Sequence, residues 1–239
     1  MSCATMKRLM NSSIAVACAL LVGAILTAAL PQRSSADERF DYKVRNDFFA
    51  GFAGNQAALE RGMKASEEIL ARNPKHAEAL VWHGSGLLAL SGLASQKGDA
   101  EKSRELWARG LKEMDDAGTL EPENVGVLAP RGSIYIHASV SMPPAQGRPL
   151  LQKGVGDFEK IQEIQKAYFQ ELGTHPRGEL LFGLAQGWYR LGNEDKARVY
   201  FERVVKDLPG SEYEKRAKTW LETKTLSKDQ MGCIGCHVQ

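Results

Sequence analysis

Cysteine is scarce in this chain and unevenly placed. Among 239 residues there are four, Cys3 and Cys18 near the start and Cys233 and Cys236 near the end, with none between Cys18 and Cys233. No disulfide framework can therefore staple the body, which must hold together by core burial. A surplus of one charge sign is missing too: 31 Lys and Arg stand against 29 Asp and Glu. Three of the positives, Lys7, Arg8 and Arg33, fall in the first 36 residues, which contain no acid, and 28 basic against 29 acidic residues remain beyond them. Such a body lacks the basic footprint of nucleic-acid binding. After Leu30 no long apolar run occurs, which excludes a polytopic membrane protein. With 43% apolar and 25% charged residues, the composition excludes disorder and collagen and fits a folded globular body.

The first 36 residues read as a targeting segment. Lys7 and Arg8 precede a 17-residue apolar run, Ile14 to Leu30, and Ser34-Ser35-Ala36 offers the small residues a signal peptidase accepts, with Asp37 as the new N-terminus. The expectation is export to a bacterial periplasm. Two alternatives remain open at this point. The run sits at the lower limit of what spans a bilayer, so an uncleaved anchor facing the periplasm uses the same residues. A lipoprotein would use Cys18, although Ala15-Val16-Ala17-Cys18 fits a lipobox poorly and the apolar run continues past it. On cleavage, the exported chain keeps only Cys233 and Cys236.

From residue 37 to 223 nearly every apolar segment has a helical period. Helices are predicted near 56–72, 77–91, 100–117, 124–140, 155–173, 177–191, 194–207 and 211–223, with a short one around Phe48, Phe49 and Phe52. Between Gly178 and Pro209 the pattern is clearest: Leu181, Leu184 and Trp188 share one face, Gly192-Asn193 turns the chain, and Ala197, Phe201, Val204 and Val205 repeat the spacing. With Ala185 added, this hairpin resembles a tetratricopeptide repeat, and Pro176 to Pro209 spans 33 residues against a family period of about 34. Asn73-Pro74, Glu121-Pro122 and His175-Pro176 stand where inter-repeat prolines would fall, at intervals of 48 and 54. The excess is assigned to Gly92–Asp99, which lengthens one hairpin, and to a Pro/Gly-rich loop over Ser141–Gly156. Leu128, Gly132 and Tyr135 fit a first repeat helix, and helix is preferred to strand for Ile134-Tyr135-Ile136. The resemblance implies an all-α fold of stacked antiparallel helical hairpins, a tetratricopeptide-like solenoid, whose concave face holds a protein partner. Fold alone does not name that partner.

Residues 224–239 carry the chemistry. A polar linker leads to Met231-Gly232-Cys233-Ile234-Gly235-Cys236-His237, and Cys-x-x-Cys-His is the attachment signature of c-type haem. Two thiols at this spacing reach the two vinyl groups of one porphyrin, and the adjacent His237 ligates the iron. The resemblance to c-type cytochromes covers these five residues and implies one covalent haem c. Zinc would use the same donors, but a structural zinc site takes four ligands and no second cysteine pair exists. A redox dithiol would want a βαβ framework and a helix N-terminus. Only Val238 and Gln239 follow His237, so the second axial ligand must come from the repeat body, a partner or water. His83 and His137, on predicted helices, are the intramolecular candidates; His76, His175, Met63, Met114 and Met142 are weighed as turn or core residues, and Met231 is too near the attachment point.

No nucleophile–base pair stands out. Glu67-Glu68, Asp115-Asp116 and Glu194-Asp195 read as solvated faces of amphipathic helices, and the four tryptophans as packing. The expected function is an exported scaffold bearing haem for electron transfer or redox sensing, docked on a periplasmic protein through its repeat surface. A non-haem interaction scaffold with a zinc or disulfide tail is the alternative, and a haem enzyme with an open iron site a third class.

Overall fold

The computed structural model describes residues 39–226, so the targeting segment, Met231 and the Cys233, Cys236 and His237 cluster lie outside the described residues. Within them the chain is all-helical. It forms α1 (Phe40–Phe52), α2 (Gln56–Arg72), α3 (Ala77–Gln96), α4 (Ala100–Leu120), α5 (Val125–Val140), α6 (Pro144–Gln165), a 3-10 turn (Phe169–Glu171), α7 (Thr174–Arg190), α8 (Glu194–Asp207) and α9 (Glu212–Thr223). The β-branched run Ile134-Tyr135-Ile136 is helical, inside α5.

Local chemistry starts these helices. Side-chain oxygens of Asn55, Asp99, Asn193 and Ser211 each accept from the backbone N–H three residues on, and Asn124 from the one two residues on. His76 caps α3 through Nδ1, which accepts from the Ala79 N–H at 3.2 Å. Between α3 and α4 and between α7 and α8 the chain reverses in a glycine–cap pair, Gly98-Asp99 and Gly192-Asn193; both glycines have positive φ, 80° and 88°, which a side chain would strain.

Sequence-adjacent helices pack as hairpins, α1 with α2, α3 with α4, α5 with α6 and α7 with α8. The odd-numbered helices also stack on one another in order, α1 to α9, and each even-numbered helix packs against the odd helices on both sides. The result is two layers. α3 is buried along most of its length, Ala77 to Leu88 without a break, because α1, α2, α4 and α5 all pack on it. Aromatic stacking closes both ends: Phe48 lies on Trp82 with centroids 5.3 Å apart, and Phe201 on Trp220 at 4.2 Å.

Three segments differ from the sequence reading. The stretch expected to be a loop over Ser141–Gly156 is mostly α6, which starts at Pro144. Proline is tolerated in a first turn, where its missing N–H has no intrahelical partner. Two of its three glycines are there for contact: a Cβ on Gly147 would lie 2.5 Å from the Ser139 carbonyl oxygen, and one on Gly154 2.7 Å from that of Gly132, whereas one on Gly156 would meet open space. Likewise the helix expected to run to 173 ends at Gln165, and the one expected to end near 91 continues to Gln96, so that part of the stretch assigned to lengthening this hairpin is helical.

Candidate functional site

The stacked odd helices carry two neighbouring grooves. Toward the α1, α5 and α7 N-termini lies one of about 300 Å³, lined by Tyr42, Arg45, Phe49, Trp82, Ile134 and His175 among others. Toward the α3 and α5 C-termini lies a larger one of about 730 Å³, whose walls include Phe52, Ser85, Trp107, Ile134 and His137. Both volumes fall in the range of small-molecule and cofactor sites. Phe52 and Ile134 belong to both.

Packing separates the two candidate axial histidines sharply. His83 is buried, its side chain 2% exposed, with Nδ1 2.5 Å from Glu113 Oε2 and Nε2 3.6 Å from Glu67 Oε1. Arg109 holds the other Glu113 oxygen at 2.9 Å. A porphyrin could reach this imidazole only by parting α2, α3 and α4. His137 stands in the last turns of α5, exposed, and borders the larger groove. Neither of its ring nitrogens has a hydrogen-bond partner among the described residues. Crowding by protein and, second, the Arg190 guanidinium hold its pKa below the ordinary histidine value.

The other histidines are engaged. His76 is the α3 cap already described and meets Phe40 edge-on at 5.5 Å. His175 Nδ1 lies 3.1 Å from the Tyr213 hydroxyl, and its Nε2 3.8 Å from Glu179. Met114 and Met63 are core residues, and Met142 packs on the α1–α5 core. Among the described residues no group of three or more His, Cys, Asp or Glu side chains is placed to hold a metal ion. Nor is any described helix long and apolar enough to cross a membrane.

One residue outside both groove linings had no marker in the sequence. Arg190, the last residue of α7, has a buried Nε with no hydrogen-bond partner, and no carboxylate pairs with it among the described residues. Burial lowers its pKa, with only Tyr189 acting the other way. Nearby the chain leaves the body: the Tyr189 hydroxyl donates to the Lys224 carbonyl oxygen at 2.8 Å, and Thr225 and Leu226 lie beside Phe182 and Gln186 of α7. No family model, no curated protein and no solved structure matches the chain.

Proposed function

We propose that this chain is an exported, tetratricopeptide-like helical scaffold that carries one haem c on residues 224–239 and serves as an electron-transfer or redox-sensing accessory to a periplasmic protein. The observation that carries the reading is Cys233-x-x-Cys236-His237, which holds every thiol beyond the targeting segment. The body supports it by needing no thiol: its caps, turns and core are complete within residues 39–226. Hairpin pairing, glycine–cap reversals and the odd-helix stack favour the repeat reading, since each hairpin buries its apolar face on the next.

Attachment requires only addition. Cys233 and Cys236 would hold the group through thioethers, each made by adding one S–H across a vinyl double bond, sulfur to one carbon and hydrogen to the other, which needs no oxidant. His237 would then take one axial position. When bound, the group supplies a one-electron couple at iron. The donor set fits: of His76, His83, His137 and His175, only His137 has a ring free of side-chain or backbone hydrogen bonds among the described residues. The odd-helix face, with its exposed grooves, is the surface proposed for the partner.

The test is direct. Expressed with its first 36 residues in a host that has cytochrome c maturation, the chain should give a haem-staining band on a denaturing gel, because thioethers survive denaturation. Cys233→Ala with Cys236→Ala should abolish the band and leave the helical circular dichroism unchanged. Absence of stain from the parent chain, with zinc or a disulfide found instead, would replace this reading with the non-haem scaffold.

A further inference from the structure

We infer that the smaller groove, between α1, α5 and α7, is a binding site for a small zwitterion with an apolar side group, the chemistry of a free apolar α-amino acid. The site is independent of the Cys233, Cys236 and His237 motif and uses none of its residues.

Three observations meet in this groove. The first is that α1 carries two apolar faces. Phe40, Val44 and Phe48 are buried in the core. Tyr42, Arg45, Phe49 and Phe52, spaced three, four and three residues apart, form a second stripe that lines the groove of about 300 Å³. Core packing accounts for the first face, whereas the second stays partly open, with Tyr42 48% exposed. Ala129, Pro130 and Ile134 of α5, with Leu172 and Pro176 near the α7 N-terminus, complete an apolar enclosure for a side group.

The second observation is a balanced set of unmet polar atoms. Ten buried side-chain polar atoms among the described residues have no hydrogen-bond partner, and four of them, Asp41 Oδ1, Arg45 Nε, Trp82 Nε1 and Gln165 Oε1, belong to residues of this one groove. The larger groove is lined by none of the ten. Asp41, Trp82 and Gln165 are only 7%, 4% and 6% exposed. Buried polar groups are normally paired, so four orphans on one groove call for a partner. Two are donors and two are acceptors. An anion alone would leave the acceptors unmet, and a cation alone the donors.

The third observation is an ion pair left unclosed. Asp41 and Arg45 stand one helical turn apart, the spacing at which a carboxylate and a guanidinium meet. Here they do not: Arg39 Nη2 donates to Asp41 Oδ2 at 2.9 Å, and Arg45 lies over the Tyr42 ring, 4.6 Å from its centroid, with no hydrogen bond or ion pair among the described residues. A ligand carboxylate on Arg45 and a ligand ammonium on Asp41 Oδ1 would close the gap, with the Trp82 N–H and the Gln165 amide oxygen as further donor and acceptor. Stacking on Phe48 and edge contact with Phe49 hold the Trp82 ring in place. Glu179 and His175, on the α7 side, are already engaged with each other and with Ser133 and Tyr213.

The experiment titrates the full exported chain calorimetrically with L-leucine and L-phenylalanine, and with the N-acetyl acid and the amide of each. The free amino acids should bind. Acetylation, which removes the ammonium charge, and amidation, which removes the carboxylate charge, should each weaken binding about tenfold or more, the cost of one charged hydrogen bond left unmade. Trp82 should report the same event through a ligand-dependent fluorescence change that Trp82→Phe lacks. Arg45→Gln should weaken binding of the free amino acids about tenfold or more with circular dichroism unchanged, and Arg45→Lys should recover part of the loss. Because the ligand series is read on the unmodified chain, a variant that fails to fold leaves the test intact. Absence of heat from all six compounds at millimolar concentration overturns the proposal. Equal affinity for free and blocked forms also overturns it, since the groove would then be an apolar pocket only, as does an Arg45→Gln chain that binds the free amino acids as the parent does.

Discussion

At the scale of single residues, the largest individual stake inside the body is a buried ion pair rather than an apolar side chain. Arg131 on α5 donates from Nε to Asp157 Oδ2 at 2.8 Å and from Nη2 to Oδ1 at 2.5 Å, with side chains only 16% and 6% exposed. Burial drives the Asp157 carboxyl above its ordinary range, and Arg131 pulls it back only in part. Arg131→Leu leaves a buried carboxylate unpaired and should cost about 3–5 kcal/mol in urea unfolding. Arg131→Leu with Asp157→Leu should recover much of that loss, because no charge is then stranded. Recovery of none would show that the pair acts mainly through shape, beside Gly118, where a Cβ would fall on the guanidinium. None of this was visible in the sequence, since the partners are 26 residues apart and Asp157 lies just past what read as a loop. The Cys233-x-x-Cys236-His237 motif was visible because its pattern is local, two thiols and an imidazole within five residues. Choosing between His83 and His137 was not: both sit on helices, and only packing shows one ring clasped by Glu67 and Glu113 and the other exposed at the larger groove.

Among the elements, helix pairs are set by glycines at their crossings. A Cβ on Gly84 of α3 would lie 2.7 Å from the Gly110 carbonyl oxygen of α4, and one on Gly110 2.7 Å from that of Gly84. α5 and α6 repeat the device with Gly132 and Gly154. Each pair brings backbone against backbone, so a side chain has nothing flexible to push aside. Gly154→Ala should therefore destabilise by about 1–3 kcal/mol despite its better helix propensity, measured by urea midpoint at unchanged slope. A stabilised variant would mean that α5 and α6 slide apart freely. The same fact explains the misread segment. Glycines and prolines between Ser141 and Gly156 look like turn signals, yet there Gly147 and Gly154 answer to neighbouring backbone, a requirement that helical periodicity does not encode. Over Gln56–Arg72, whose single glycine, Gly62, meets the Phe48 ring rather than backbone, the sequence period and the helix agree end to end.

Across the described residues the core divides into two clusters, one centred on α1 to α4 and one on α7 to α9, and α5 and α6 contribute to both: Val127, Tyr135 and Leu150 to the first, Leu128, Ile136 and Leu151 to the second. A stack in which elements contact only their neighbours distributes its stability locally. Phe201, fully buried between Phe182 and Trp220, tests this. Phe201→Ala removes a stacked ring from the second cluster and should cost about 3–5 kcal/mol. Trp188→Ala should cost less, because that indole is half-buried and covered on one face by Lys196 Nζ, 3.5 Å from its centroid. Locality adds a further requirement. In native-state hydrogen exchange Phe201→Ala should lower protection of α7, α8 and α9, while α3 and α4, which pack chiefly on each other, keep theirs under conditions where α8 already opens. Equal loss in both halves would show that α5 transmits the defect, and the body would then unfold as one cooperative unit instead of a stack.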